Sequence, residues 1–195
     1  MYRIRFLILF ILVAKVAAAY PGIPEAAETY SPTAASLVDL VKPHEREAQA
    51  IHFMLKVAPF GFPESIADCM VAKATPVYKE YFAALYAKHL SESELRQVVD
   101  FFKSEAGRTA VTIQLQHEQN LLNTAAKGQQ IVNEKPEYPL WVQKALESFN
   151  STPIGKNFGT DGQAVLQPFS SEITDLRNSA MAQCLADPAP RGGRK

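Results

Sequence analysis

The sequence predicts an all-α fold, an irregular helical bundle of about six helices with a capped helix-to-helix corner. Three observations predict it. Apolar residues recur at three- and four-residue spacing in successive segments, prolines and glycines separate those segments, and one segment opens with a helix-capping signature. With 195 residues, of which 47% are hydrophobic and 21% charged, the chain is long enough for one domain with its own core.

The first nineteen residues have the three parts of a secretory signal peptide. Arg3 and Arg5 form a basic region, an apolar stretch follows, and three alanines that end at Ala19 form a cleavage site. A transmembrane anchor is the alternative, but the apolar run is shorter than the ~20 residues that span a bilayer, and Lys15 interrupts it. We therefore expect a signal peptide over 1–19 and a mature periplasmic or secreted protein without a transmembrane anchor.

The mature chain divides into a leader, one domain and a tail. Residues 20–32 contain three prolines and are expected to form an extended leader. Residues 33–186 are expected to form the single helical domain, and residues 187–195 a disordered basic tail. Without the basic residues of the signal peptide the protein is mildly acidic, which argues against nucleic-acid binding.

Three helices are expected before the corner. Thr33 is the expected cap of a short helix that ends at Lys42, and Glu45–Val57 forms the second helix. The third, about Glu64–His89, carries an aromatic stripe that would line either a ligand groove or the core. Its helical spacing favours core packing. The stripe consists of Tyr78, Tyr81, Phe82 and Tyr86.

The corner follows at Leu90. Ser91 and Glu94 fit a capping box, and an apolar face that includes Phe101 and Phe102 follows at helical spacing. Ser104 is the expected cap of a second helix, which runs to about Ala126. Gly107 lies in the first turn of that helix, where a missing side chain lets the preceding helix pass close by. Two later helices are expected around residues 140–149 and 171–185.

The run from Leu90 to Arg108 resembles the signature of the domain of unknown function 2059 family, helical proteins exported by bacteria. The resemblance rests on Leu-Ser-x-x-Glu-Leu at residues 90–95 and on Phe-Phe-x-Ser-x-x-Gly-Arg at residues 101–108. It covers about residues 78–125, and Glu105 stands where the family often has Pro. The resemblance implies an all-helical fold and bacterial export, and it implies no activity.

The corner has a second candidate copy. A shift of forty-eight positions aligns Phe101 with Phe149, Ser104 with Thr152 and Gly107 with Gly155. The similarity ends at the corner. It indicates either an internal repeat or a chance recurrence of a good helix start.

The two cysteines, Cys69 and Cys184, are expected to form a disulfide, because exported proteins in oxidising surroundings tend to pair their cysteines. Both fall on or beside apolar helical stripes. The alternative is therefore two buried thiols that never meet.

Catalytic, metal and cofactor signatures are not found. No two of the four histidines have the i, i+4 spacing of helical zinc ligands, and no Gly-x-Ser-x-Gly elbow occurs. Arg108 and Lys156 each lie just inside a predicted helix start, where a cation opposes the helix dipole. They extend either into water or to a nearby carboxylate, or they contact a bound anion.

These observations predict a non-catalytic binding or interaction module of the cell envelope, which needs no cofactor and whose protein or envelope partner is not specified by the sequence. A hydrolase on a helical scaffold is one alternative, and it requires a polar cleft with perturbed acids. A purely structural envelope component is the other.

Overall fold

The computed structural model describes residues 31–58, 62–130, 135–159 and 170–186. This part of the chain forms eight α-helices and contains no strand, which confirms the all-α bundle; the count exceeds the predicted six or so, partly because the second corner starts a short helix of its own. The helices are α1 Pro32–Val41, α2 Pro43–Val57, α3 Glu64–His89, α4 Glu92–Lys103, α5 Glu105–Ala126, α6 Leu140–Ser151, α7 Pro153–Phe158 and α8 Ser170–Ala186.

The cap of α1 is Ser31, and the expectation that Thr33 fills this role is wrong. The Ser31 hydroxyl accepts a hydrogen bond from the amide of Ala34 at 3.2 Å. Pro32 takes the first helical position, where its missing amide hydrogen is not needed. The Thr33 hydroxyl instead donates to the Glu92 carboxylate at 2.6 Å and so connects the starts of α1 and α4.

The central helix is α3, which packs against α1, α2 and α8. Three residues of its aromatic stripe, Tyr78, Phe82 and Tyr86, are at most 1% exposed. They belong to the main core cluster, together with residues of α1, α4 and α8. The preference for core packing over a ligand groove is therefore confirmed for these three rings.

The predicted capping box opens α4. The Ser91 amide donates to the Glu94 carboxylate at 2.8 Å, and the Ser91 hydroxyl accepts from the Glu94 amide at 3.4 Å. A hydrogen bond from the Ser91 hydroxyl and one from its backbone amide lower the pKa of Glu94. The box fixes the point where the chain turns from α3 into α4.

The corner between α4 and α5 is built as the sequence predicts. The Ser104 hydroxyl donates to the Phe101 carbonyl at 2.6 Å and accepts from the Gly107 amide at 3.1 Å. A Cβ atom on Gly107 would lie 2.3 Å from the Phe101 carbonyl oxygen and 2.6 Å from the Phe102 Cα. Only glycine leaves room for the end of α4 at this point.

The same corner recurs between α6 and α7. The Thr152 hydroxyl donates to the Phe149 carbonyl at 2.7 Å and accepts from the Gly155 amide at 3.0 Å. A Cβ atom on Gly155 would lie 2.0 Å from the Phe149 carbonyl oxygen. The forty-eight-residue shift in sequence therefore corresponds to a repeated backbone structure. Beyond the corner the copies differ, because Gly159, at φ 76°, follows the end of α7.

The two corners pack against each other. α4 contacts α7, and α5 contacts α6, so each helix before a corner touches the helix that follows the other corner. Phe102 of α4 lies 5.7 Å, centroid to centroid, from Phe158 of α7. On the other side, Ala110 of α5 forms a small buried cluster with Val142 and Leu146 of α6.

The last helix, α8, is attached to α3. Ile173, Leu176 and Ala180 are buried in the main core, and Cys184 forms the predicted disulfide with Cys69. The proposed signal peptide (1–19), most of the leader (20–32) and the tail (187–195) lie outside the described residues.

Candidate functional site

A cavity of about 420 Å³ lies where the last turns of α2 and α5 face the first turn of α3. Its walls are two helical stripes with the same spacing of i, i+3, i+4 and i+7, which places each set on one helix face. The α2 stripe consists of Gln49, His52, Phe53 and Lys56, and the α5 stripe of Gln119, Leu122, Asn123 and Ala126. Two adjacent helices therefore present matched faces to one space.

The cavity is apolar at its base and charged at its rim. Leu55 and Ala67, at its base, are 6% and 3% exposed. Phe53 and Phe62 are half-buried walls. The charged residues that line it, His52, Lys56 and Glu64, are exposed, and His52 lies 3.9 Å from the Asp68 carboxylate. An apolar base under a polar rim is the usual form of a small-molecule site.

Three amide side chains supply hydrogen-bonding groups. The Gln119 amide nitrogen donates to the Asn123 oxygen at 3.3 Å, along α5. On α2, the Oε1 atom of Gln49 is enclosed by protein atoms, with no surface open to the cavity, and it accepts no hydrogen bond from the described residues. An enclosed acceptor without a donor is uncommon in folded proteins and calls for an explanation.

A polar network closes the inner end of the seam between α2 and α5. Arg46, only 7% exposed, lies 3.2 Å from the Glu118 carboxylate. The Gln114 side-chain amide donates to Glu118 at 2.8 Å, and the Tyr138 hydroxyl donates to Gln114 at 2.9 Å. Glu118 thus neutralises the buried guanidinium of Arg46, which lies beside the cavity and about one turn before Gln49 on α2.

The disulfide lies apart from this cavity lining, between α3 and α8. Cys69 and Cys184 are 115 positions apart in sequence, and their Cα atoms are 6.0 Å apart. Two turns before Cys184 on α8, the Arg177 guanidinium donates to the Glu47 carboxylate at 2.5 Å and so joins α8 to α2. Burial works against the charged form of Arg177, but the Glu47 contact outweighs it and the pKa of Arg177 is raised.

The corner residues of the predicted motif have structural roles. Ser91 and Glu94 cap α4, Ser104 caps α5, and Gly107 allows the close approach of the two helices. Phe102 is fully buried, and the half-buried Phe101 lies over the second corner.

Residues 70–135 match the family model described as "Uncharacterized protein conserved in bacteria (DUF2059)". This finding confirms the predicted resemblance to the domain of unknown function 2059 family. The match covers about a third of the chain, from the first half of α3 through α5. No curated protein and no solved structure matches the chain.

The DUF2059 match includes one wall of the cavity and not the other. The α5 stripe, from Gln119 to Ala126, lies inside the matched range, whereas the α2 stripe, from Gln49 to Lys56, precedes it. Sequence reasoning did not identify either stripe. The sequence contains their shared spacing, but the same spacing occurs on any solvated helix face. Only the packing of α2 on α5 shows that the two stripes face one cavity.

Arg108 and Lys156, the candidate anion contacts, occupy equivalent places after the glycines of the two corners. The Arg108 guanidinium turns back and donates to the Lys103 carbonyl, at the end of α4. Its charge therefore complements the carboxyl-terminal end of α4 although it opposes the start of α5. This contact gives Arg108 a structural role, and an anion at Arg108 or Lys156 stays a prediction.

Neither a metal-ligand cluster nor a membrane-spanning helix occurs in the described residues. No three His, Cys, Asp or Glu side chains there lie close enough together to hold a metal ion. Within the same residues, every helix is either too short or too polar to cross a bilayer.

Proposed function

We propose that this protein is an exported, non-catalytic binding module that takes a small ligand into the cavity between α2 and α5. The observation that carries the proposal is the cavity itself, with a volume of about 420 Å³ and an apolar base between two matched helix faces. Ligand sites in proteins typically have volumes of about 300–1,000 Å³ and combine apolar walls with a few polar groups that orient the ligand.

The chemistry of the lining supports binding. Aromatic and aliphatic side chains form the base and walls, and amide side chains line the cavity at the half-buried Gln49 and Gln119 and at the exposed Asn123. Amides donate and accept hydrogen bonds without changing their charge between pH 5 and 8. They therefore orient a ligand over that range without taking up or releasing protons.

Two features support export. The basic, apolar and small-residue regions of residues 1–19 have the order of a signal peptide. The Cys69–Cys184 disulfide joins the only two cysteines of the chain, and such bonds persist in oxidising compartments. The proposal places the mature protein in the periplasm or outside the cell.

Binding is tested with N-phenyl-1-naphthylamine, an uncharged apolar dye that fluoresces when it leaves water. We expect the oxidised mature protein to bind it saturably, and we expect Ala126→Trp, which fills the cavity from α5, to weaken binding at least tenfold. The matched control is Asn120→Trp on the exposed side of α5, which should bind as the wild type does. Equal binding by all three proteins, or no binding by the wild type, would contradict the proposal.

Export is tested independently by fractionation of cells that produce the full chain. We expect the protein in the periplasmic or culture fraction, with a mature amino terminus at Tyr20. Recovery of the uncleaved chain from the cytoplasm would contradict export without affecting the binding test.

A further inference from the structure

We propose that binding in this cavity is regulated by pH, because protonation of His44 loosens the first turn of α2, which holds the inner end of the seam between α2 and α5. The proposal rests on the proposed function and adds the regulation of that site. His44 does not line the cavity, so its effect on the ligand passes through the helix.

The first turn of α2 is held on two sides. Within the described part of the chain its two basic residues His44 and Arg46 are buried, each 7% exposed. Two positions apart on a helix, they point in roughly opposite directions. Arg46 lies against Glu118 of α5, whereas His44 is within the electrostatic reach of Asp39 of α1 and Lys79 of α3. The position of this turn therefore depends on both side chains.

The surroundings of His44 do not suit a charged imidazole. Its Nδ1 atom is enclosed and has no hydrogen-bond partner among the described residues. Both ring nitrogens of an imidazolium are donors, so protonation leaves a charged donor buried and unpaired, which is unfavourable. His44 is also the second residue of α2, where the positive end of the helix dipole opposes a further positive charge.

The charged groups around His44 do not offset this penalty. Burial is the largest cause that lowers the pKa of His44, and Lys79 and Lys42 lower it further, whereas Glu45 and Asp39 raise it. Both carboxylates are already paired with a lysine. Asp39 lies 2.9 Å from Lys79, and Glu45 lies 2.8 Å from Lys42. The imidazolium is therefore more stable in water than in its buried position.

The start of α2 has little local support to resist such a movement. No side chain caps the helix, and its first residue, Pro43, has no amide hydrogen. Lys42, just before it, has the left-handed conformation, with φ 57°. A first turn of this kind is held mainly by the packing of its side chains. When protonated His44 moves toward water, the turn that also carries Arg46 loses its fixed position.

This turn leads directly into the α2 wall of the cavity. Gln49, at the inner end of the α2 stripe, follows Arg46 by about one turn. The matched faces of α2 and α5 enclose a ligand only while α2 keeps its place on α5. The apparent dissociation constant therefore rises in inverse proportion to the fraction of protein with a neutral His44. That fraction is nearly complete above about pH 6.5 and falls as the pH drops toward the folded-state pKa.

The experiment measures binding of N-phenyl-1-naphthylamine at pH 7.5 and at pH 5.0. The oxidised mature wild type is compared with His44→Gln and His44→Leu, neither of which titrates at this position. His89→Gln, at an exposed position on α3, is the matched control. His52→Gln tests the histidine on the rim of the cavity, and circular dichroism at both pH values shows whether each variant is folded.

We expect the wild type, His89→Gln and His52→Gln to bind the dye about threefold or more weakly at pH 5.0 than at pH 7.5. In both His44 variants the affinity should change by less than about 1.5-fold. A pH dependence that survives both His44 substitutions, or that disappears in His52→Gln, would overturn the inference.

Hydrogen exchange supplies a second measurement on the wild type. We expect the protection of amides in residues 44–50, compared with those of α4, to fall between pH 7.5 and pH 5.0. Unchanged protection would overturn the inference even if neither His44 variant folds. If the wild type binds the dye equally well at both pH values, the inference fails and the binding function stands. If it does not bind the dye at pH 7.5, both proposals fail.

Discussion

The rings of Phe101 and Phe149 stack face to face, with centroids 4.1 Å apart and planes within 8° of parallel. Each ring lies three residues before the capping hydroxyl of its corner, Ser104 in one case and Thr152 in the other. The two corners therefore meet at equivalent positions, and the contacts on either side are reciprocal, as at the interface of a symmetric dimer.

This stacking predicts a measurable coupling between the two rings. We expect Phe101→Leu and Phe149→Leu each to lower the free energy of unfolding. The loss in the double variant should be smaller than the sum of the two single losses by about 1 kcal/mol, because the aromatic contact is lost only once. Urea unfolding of the four proteins measures the difference. As a control, Phe101→Leu combined with Val57→Ala, at the half-exposed end of α2, should be additive. Additivity of the phenylalanine pair as well would show that the rings do not stabilise each other.

The glycines of the corners predict a sharp sensitivity to a single methyl group. We expect Gly107→Ala and Gly155→Ala each to lower the free energy of unfolding by about 3 kcal/mol, because the new Cβ would overlap the backbone of the preceding helix. The capping change Ser104→Ala should cost only about 1 kcal/mol.

The matched control is Gly128, which has φ 68° but where an added Cβ atom would meet no other atom within 4 Å. Gly128→Asn should cost less than about 1 kcal/mol, because asparagine tolerates the left-handed conformation. A melting temperature for Gly107→Ala equal to that of Gly128→Asn would show that the corner is not closely packed.

The corners could be predicted from sequence because their chemistry is local. Ser91 reaches Glu94, and Ser104 reaches Gly107, each within three residues, so the spacing alone specifies the hydrogen bonds. The disulfide could be predicted because the chain has only two cysteines. The cap of α1 was missed because hydroxyls flank Pro32 on both sides. Thr33 is occupied by Glu92, fifty-nine positions away, and no local pattern shows that contact.

The cavity could not be predicted for the same reason. Gln49 and Asn123 belong to helices far apart in sequence, and each stripe alone looks like the polar side of an amphipathic helix. The contact of Arg108 could be predicted only in part. The sequence places this residue at the start of α5, but only the geometry of the corner brings its guanidinium to the Lys103 carbonyl at the end of α4.

The ion pair between the buried Arg46 and Glu118, beside the cavity, predicts that removing its carboxylate costs more stability than removing the carboxylate of an exposed ion pair. We expect Glu118→Ala to lower the free energy of unfolding by about 3 kcal/mol, because the Arg46 side chain is 7% exposed and loses the carboxylate that faces it. The control is Asp39→Ala, whose partner Lys79 is 45% exposed, and it should cost less than about 1 kcal/mol. Similar losses for both variants, measured by urea unfolding, would show that Arg46 is solvated in solution.

His44 predicts a dependence of stability on pH. Burial, with a contribution from Lys79, lowers the pKa of His44 below its ordinary value of 6.5, although Glu45 and Asp39 act in the opposite direction. The unfolded chain therefore binds a proton more readily than the folded protein does. Stability from the neutral imidazole is complete above about pH 6.5 and is lost as the pH falls toward the folded-state pKa.

We expect the melting temperature to drop between pH 7 and pH 5 by more in the wild type than in His44→Gln, because glutamine does not titrate. His52→Gln, at an exposed position, is the matched control and should keep the dependence of the wild type on pH. The same drop in His44→Gln as in the wild type would assign the effect to other groups.

The Cys69–Cys184 disulfide predicts how the protein responds to reduction. Because it closes a loop between residues 115 positions apart, the chain-entropy model gives about 4–5 kcal/mol for its contribution, and measured values are commonly about 2–5 kcal/mol. We expect Cys184→Ala and the double variant with Cys69→Ala to lose similar amounts, since either change removes the bridge. In the unreduced wild type, neither thiol should react with an alkylating reagent even in denaturant.

The position of α8 predicts that this helix is the first part of the fold to unfold locally after the disulfide is reduced. Besides the disulfide, the contacts that hold α8 include its apolar face on α3 and the Arg177–Glu47 ion pair. We therefore expect limited proteolysis of the reduced protein to cut within residues 170–186 before it cuts α3, because, among the described helices, α8 packs mainly on α3, whereas α3 also packs on α1 and α2. If the reduced protein melts at the same temperature as the oxidised one and resists cleavage there, the non-covalent contacts of α8 suffice to hold it, and the disulfide adds nothing to the stability of the folded state.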